Sequence, residues 1–248
     1  MSQKMFKILA LETSTEFGSL ALFNRDELLA EICFGGGVTH TERLLPAWDW
    51  ILRTSHTPLS EIRGLAVGVG PGSFTGLRIG IATVLGMAWA RRLPVVGVSS
   101  LKALAGNLPL LSGTMCPLID ARKGEIYWSL YQSENGVLSQ LGEEKVSPLS
   151  EILKSVTRPT IFLGTGARRY RPEIEEWNGE ETRGADSLLA YPLARQVGIL
   201  AWERFARGES DDLKTLAPNY IRKSEAELAH PEINWEREGR KEDKFESH

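Results

Sequence analysis

Residues 67–80 read VGVGPGSFTGLRIG, and the fold turns on how this stretch is understood. Leu65, Val67 and Val69 mark a buried strand, Gly70, Pro71 and Gly72 break it, and Ser73 or Thr75 is placed to cap a helix beginning near Leu77. Strand, glycine turn and helix in this order have the outline of a phosphate loop. The familiar fingerprints nevertheless fail. The P-loop pattern needs a Gly-Lys pair that this region lacks, and the dinucleotide pattern needs a glycine where Thr75 stands. Two readings remain: Gly70, Gly72 and Ser73 form an anion nest at a helix N-terminus with Arg78 nearby, or the same residues make a structural turn.

Outward from this loop the chain repeats a plan. Residues 7–33, KILALETSTEFGSLALFNRDELLAEIC, read as three antiparallel strands joined by an acidic turn with Gly18 and by an Asn-Arg-Asp turn. Residues 115–142, MCPLIDARKGEIYWSLYQSENGVLSQLG, repeat the meander, with Asp120 at the strand end that Glu12 occupies in the first copy. Helices and buried strands follow each meander. In the first half, residues 40–53 place Leu44, Leu45, Trp48, Ile51 and Leu52 on one helical face; then come the strand GLAVGVG, a helix over 76–91 and the strand PVVGVSS. The second half offers the helix SPLSEILKSV, the strand PTIFLGTG and a long helix from about Ser187 to Arg207, with Asp186 as its N-cap and Gly208 just beyond its end.

Two such units predict the α/β class: duplicated actin-like (ASKHA, ribonuclease H-like) domains, each a mixed sheet flanked by helices, meeting at a cleft. A single doubly wound sheet fits less well, because a parallel sheet does not open with two tight antiparallel turns. The expected division is 1–107 for the first domain, 108–225 for a smaller second domain, and 226–248 for a charged, disordered tail.

The 248 residues carry a formal net charge of −3 with 25% charged side chains, which excludes both a disordered chain and a dedicated polyanion binder. Cys33 and Cys116 sit in apolar surroundings with no CxxC spacing, so free thiols are expected. No apolar run approaches the roughly 20 residues of a membrane helix, and the opening residues do not form a signal peptide; a cytoplasmic location is expected.

Catalytic groups are scarce. Glu12 with Thr13 and Ser14, and Asp120 with Arg122 and Lys123, stand where an actin-like ATPase would hold metal, water and phosphates, but the first turn has no Lys or Arg and contains a second acid, Glu16. His40 opens a helix whose residue 44 is leucine, so no imidazole pair shares its face. No nucleophile elbow is present and neither cysteine has an adjacent base. Arg168, Arg169 and Arg171 offer either a nucleic-acid contact or a solvated basic face. The helix GLRIGIATVLGMAWARR is apolar nearly all round, with small residues at 76, 80, 82, 86 and 90. It is either an interior helix or, with the helix of residues 41–53, a patch covered by another protein.

ILALETST, HTERLLP, GVGPGSFTGLRIGIAT, GVSSLKALA, DARKGEIYWSLY and LAPNYIR, in this order over nearly residues 7–222, together resemble the bacterial TsaB (YeaZ) family. The resemblance implies an inactive sister of the TsaD transferases, with the same duplicated fold, working in formation of N6-threonylcarbamoyladenosine at position 37 of tRNAs that read ANN codons. The sister enzymes carry an H-x-x-x-H metal motif in the region of HTERLL; this chain keeps His40 and has Leu44 at the second position. By the same resemblance the chain is a non-catalytic scaffold that binds TsaD and helps recruit the ATPase TsaE, can pair with a second copy as a homodimer when alone, meets tRNA only through the complex, and has no membrane contact. It implies no cofactor required by this chain, with ATP or ADP expected, if anywhere, at the interface of the complex, and no metal. Leu44, Leu45, Trp48, Leu52, Ile81, Leu85 and Trp89 are the expected partner residues. The competing expectation is an ATP-dependent kinase or ATPase of the actin-like fold.

Overall fold

Strand β1 (Lys7–Glu12) is buried along its whole length because both faces of its sheet are covered. The alternation of side chains sorts its residues into two cores. Leu9 and Leu11 join Leu20, Leu22, Leu65 and Val67 on one face, while Ile8 and Ala10 join Ala21, Phe23 and Ala66 on the other. β2 (Gly18–Asn24) and β3 (Glu27–Phe34) complete the antiparallel meander; β4 (Ile62–Gly70) and β5 (Val95–Ser99) add in parallel, giving the order β3-β2-β1-β4-β5. The computed structural model describes residues 6–35, 39–108, 112–178 and 190–222.

The leucine-rich face carries α1 (His40–Thr54) and α2 (Phe74–Arg91), between which a 3-10 turn (Leu59–Glu61) leads into β4. The alanine-rich face, with less side-chain bulk, admits helices at close range. After α3 (Ser100–Ala105) the chain enters the second sheet through β6 (Gly113–Arg122), β7 (Glu125–Trp128), β8 (Tyr131–Glu134), β9 (Val137–Gln140) and β10 (Lys145–Ser147). Next come α4 (Leu149–Ser155), β11 (Ile161–Leu163), α5 (Thr165–Arg169), α6 (Arg171–Asn178) and α7 (Ala194–Ala206).

The sequence predicts one strand between Gly124 and the Glu-Asn-Gly turn that begins at Glu134, and the structure breaks it at Ser129–Leu130. β7 and β8 still follow a common register against β6, from Leu118 opposite Trp128 to Gly113 opposite Ser133. The break faces Cys116 and Pro117, and a proline has no N–H to give to the ladder. With β11 parallel to β6, the second sheet repeats the meander-plus-parallel-strand plan of the first.

The last helix departs from expectation twice. It starts at Ala194 rather than near Ser187, since Tyr191, Pro192 and Leu193 lead in with extended backbone at Leu193; the expected cap Asp186 lies outside the described residues, as does the tail from 226 onward. Counted by sequence with the second half, α7 lies instead on the alanine face of the first sheet, where Ala194, Val197 and Ala201 pack with Ala10, Ala21 and Ala66. Gly198 makes this approach feasible, because a Cβ there would stand 2.2 Å from the Phe23 ring. Gly208 follows the helix with φ +76°, as its position past the C-terminus requires. Mixed sheets flanked by helices, twice over, are the α/β actin-like arrangement. Among the described residues no helix is long and apolar enough to cross a membrane.

Candidate partner interface and the glycine loop

The glycine stretch is explained by spacing. Gly72, in the loop before α2, and Gly76 and Gly80 within the helix recur every four residues and face the turn after β1. Cβ atoms there would come within 2.2 Å of the Ser14 carbonyl oxygen, 2.1 Å of the Thr13 carbonyl oxygen and 2.2 Å of Thr13 Oγ1. Only backbone without side chains permits this contact. Ser73, not Thr75, is the N-cap, and its Oγ accepts from the Gly76 amide at 3.3 Å. Its own amide donates to the Ser14 carbonyl at 2.6 Å, and Thr13 Oγ1 donates to the Gly76 carbonyl at 2.9 Å. The Ser73 amide that an anion would use is thus taken by a carbonyl oxygen of the first turn. Gly70, with φ +99°, takes the left-handed bend that ends β4.

Glu12 is fully buried beneath this turn. Its Oε1 accepts from the Ser14 amide at 2.6 Å and its Oε2 from the Ser100 hydroxyl at 2.9 Å, while Ser100 Oγ accepts from the Gly70 amide at 3.2 Å. Burial pushes the Glu12 carboxyl up from its ordinary pKa, and the hydrogen bonds from Ser14 and Ser100 oppose that rise. Asp120, at the matching strand end, is partly exposed. Its Oδ1 accepts from the Arg122 amide at 2.9 Å and its Oδ2 pairs with Arg169 at 2.7 Å, so one of the three arginines of the basic stretch is committed to the acidic turn. Arg171 pairs with Glu175 at 2.9 Å.

His40 is the first residue of α1, and its Nε2 lies 2.7 Å from the Thr15 carbonyl oxygen rather than against a hydroxyl or thiol. Leu44, one turn on, is buried in the first core. Cys116 is buried; Cys33 reaches solvent on β3, yet partial desolvation among its neighbours, aided by the charge of Glu31, pushes its thiol pKa up to about 11. No group of three His, Cys, Asp or Glu side chains suited to hold a metal occurs among the described residues.

The seven expected partner residues divide by which side of α1 and α2 they occupy. Leu44, Trp48 and Ile81 are buried in the chain's own core, at 1%, 5% and 4% exposure, and have little surface to give a partner. The heptad-like grouping of apolar residues could not reveal this, because α1 has apolar residues on two adjoining faces. Leu52 and Leu85 are half-buried at the margin. Leu45 and Trp89 are 62% and 58% exposed, and Trp50, overlooked because it follows Asp49 off the main apolar face, is 49% exposed. A groove of about 620 Å³ runs beside Leu45, lined also by Trp48, Leu52, Leu59 and Met87 among others; Trp50 and Trp89 lie outside its lining. Trp48 Nε1 is buried there with no hydrogen-bond partner among the described residues.

A family model described as TsaD, tRNA N6-adenosine threonylcarbamoyltransferase, matches residues 35–230. The Escherichia coli (strain K12) protein named tRNA threonylcarbamoyladenosine biosynthesis protein TsaB is 37% identical over 230 residues, covering 89% of this chain and 96% of the relative. The protein of the same name from Bacillus subtilis (strain 168) is 33% identical over 223 residues, with the same coverage.

The chain belongs to the TsaB family.

The solved structure of YeaZ from Pseudomonas aeruginosa superposes on this TsaB-family chain with TM-score 0.73 at 33% identity, over 87% of this chain and 100% of the other. A second Pseudomonas aeruginosa structure, described as an uncharacterized protein with similarity to peptidase YeaZ, gives TM-score 0.75 at 32% identity over 88% and 100%. The ethanolamine utilization protein EutJ from Carboxydothermus hydrogenoformans shares the fold at TM-score 0.52 and 11% identity. Both the family and the fold inferred from the sequence motifs are therefore shown. Leu44, the position that the resemblance aligned with a second histidine, packs in the first core of this TsaB-family chain.

Proposed function

We propose that this chain is a non-catalytic scaffold in the formation of N6-threonylcarbamoyladenosine in tRNA, the pathway in which its relatives are named. In this reading it binds the TsaD transferase through α1 and α2 and helps recruit the TsaE ATPase. The observation that carries the reading is Leu45, left 62% exposed on α1 at an apolar groove that α1 shares with Met87 of α2, with Trp89 also 58% exposed elsewhere on α2. Such residues are the usual anchors of a protein interface once they are desolvated. The filled glycine nest adds support, since the Ser14 carbonyl stands where a phosphate oxygen would need the Ser73 amide.

The test is co-elution of the purified chain with TsaD, together with tRNA modification measured by nucleoside mass spectrometry in cells carrying only the variant. Leu45→Asp and Trp89→Asp should abolish co-elution and modification while the isolated chain keeps its thermal midpoint, because they place a charge where a partner would desolvate it. Retained complex and full modification in both variants would refute the interface. Magnesium-dependent ATP turnover by the isolated chain, lost on Asp120→Ala, would favour the kinase or ATPase reading instead.

A further inference from the structure

Residues 211–222 run along the first sheet and end on the second, touching α2 on the way. Asp211 bridges to Val95 at the open edge of β5: its amide donates to the Val95 carbonyl at 2.8 Å, and its Oδ2 accepts from the Gly97 amide at 2.7 Å. Arg204 of α7 holds the same carboxylate with Nη2 to Oδ1 at 2.6 Å. Leu213 and Leu216 then pack on the leucine-rich core, and the Asn219 amide donates to the Val69 carbonyl at 2.7 Å.

At Asn219 the segment changes sheets. Asn219 Nδ2 donates to Glu144 Oε2 at 2.6 Å, and the other Glu144 oxygen receives the hydroxyls of Ser99 from the first half and, at 3.4 Å, Tyr131 from the second. One carboxylate therefore joins both sheets and the crossing segment. The next residue, Tyr220, stacks on Phe74 at 4.7 Å, and its hydroxyl accepts from Arg78 Nε at 3.0 Å, while the Arg78 guanidinium lies 3.8 Å over the Phe74 ring. Ile221 enters the second core and Arg222 donates to the Ala121 carbonyl at 3.1 Å and to Glu125 at 2.9 Å.

We infer that residues 211–222 are a clasp, fastened at Glu144, which adds a polar tie between the two halves and holds the first turn of α2 in its present pose. The physical basis is that the fastening is polar and narrow. The halves also share an apolar seam in which Leu101, Leu104 and Ala105 of α3 pack with Met115, Ile119 and Tyr131, so loosening the segment should free α2's first turn without melting either sheet. Its consequence for partner binding rests on the interface reading above; the clasp itself rests on these contacts.

The experiment uses the full chain without a partner. Amide hydrogen exchange is compared for wild type, Asn219→Ala and Glu144→Gln, with spin labels at Arg91→Cys and Lys154→Cys in a Cys33→Ser background to read the distance between the halves. The clasp predicts that exchange over residues 70–78 rises about tenfold or more, the label distances broaden, and the amides of β1 keep their protection. Unchanged exchange at 70–78 in both variants overturns it. So does an equal loss of protection in β1, which would make the segment part of one cooperative core. Failure of the interface reading shows differently, as no TsaD binding by the unaltered chain, and leaves this outcome intact.

Discussion

Glu12 Oε2 accepts the hydroxyl of Ser100 at 2.9 Å, joining the end of the first strand to the start of α3 across 88 residues. Through Ser100 the same carboxyl is linked to the Gly70 amide, so the acid that an ATPase would direct at a metal is here an internal brace of the glycine loop.

That brace has a pH signature. Burial makes folded Glu12 hold its proton more tightly than the unfolded chain does. Between the two pKa values the native state carries the extra proton, so its stability falls as pH rises, by at most about 1.4 kcal/mol per pH unit, and is greatest below the unfolded value. Glu12→Gln keeps acceptor and donor capacity without the charge. Urea midpoints measured from pH 4.5 to 8 should fall less steeply for the variant than for wild type; parallel curves would show that Glu12 is not the group responsible.

The glycines of α2 should separate by what they touch. Gly76→Ala would set a Cβ 2.1 Å from the Thr13 carbonyl and should destabilise by about 1–3 kcal/mol, since backbone must move. Gly86 has nothing within 4 Å, and Gly86→Ala should stabilise the isolated chain by up to about 1 kcal/mol through helix propensity. Thermal denaturation of the two variants checks the contrast, and equal effects would defeat the packing account.

Neighbours in α1 should behave oppositely as well. Leu44→Ala removes a side chain at 1% exposure and should cost about 2–5 kcal/mol. Leu45→Ala, at 62% exposure, should change the stability of the isolated chain by no more than about 0.5 kcal/mol and weaken only the association with a partner. Chemical denaturation beside a binding measurement distinguishes the two roles.

The thiols should be slow. With its pKa near 11, Cys33 exposes about one thiolate in a thousand at pH 8, so iodoacetamide should label it far more slowly than a free cysteine of ordinary pKa near 8.5. Cys116, buried in the second core, should react only after unfolding. Mass spectrometry of a labelling time course reads both sites, and rapid labelling of Cys33 would contradict its environment.

The repeated meander, the helix that follows the glycine loop and the family motifs were legible in the chain itself. They depend on local turn chemistry and on side-chain period, which neighbouring residues set directly: Gly18 and the Asn-Arg-Asp turn flank β2, and Ser73 stands three residues before the amide it caps. Tertiary structure alone decided which side of α1 is spoken for, that α7 returns to the first sheet, and that the Ser73 amide is met by a carbonyl. Leu44 and Leu45 are adjacent and equally apolar, so only the position of β2 and α2 separates a core residue from an exposed one. Likewise, nothing near Ala194 announces that the small residues able to receive that helix lie at positions 10, 21 and 66. Those contacts join residues remote in sequence, and burial becomes a property of a residue only when the chain has brought its distant neighbours alongside.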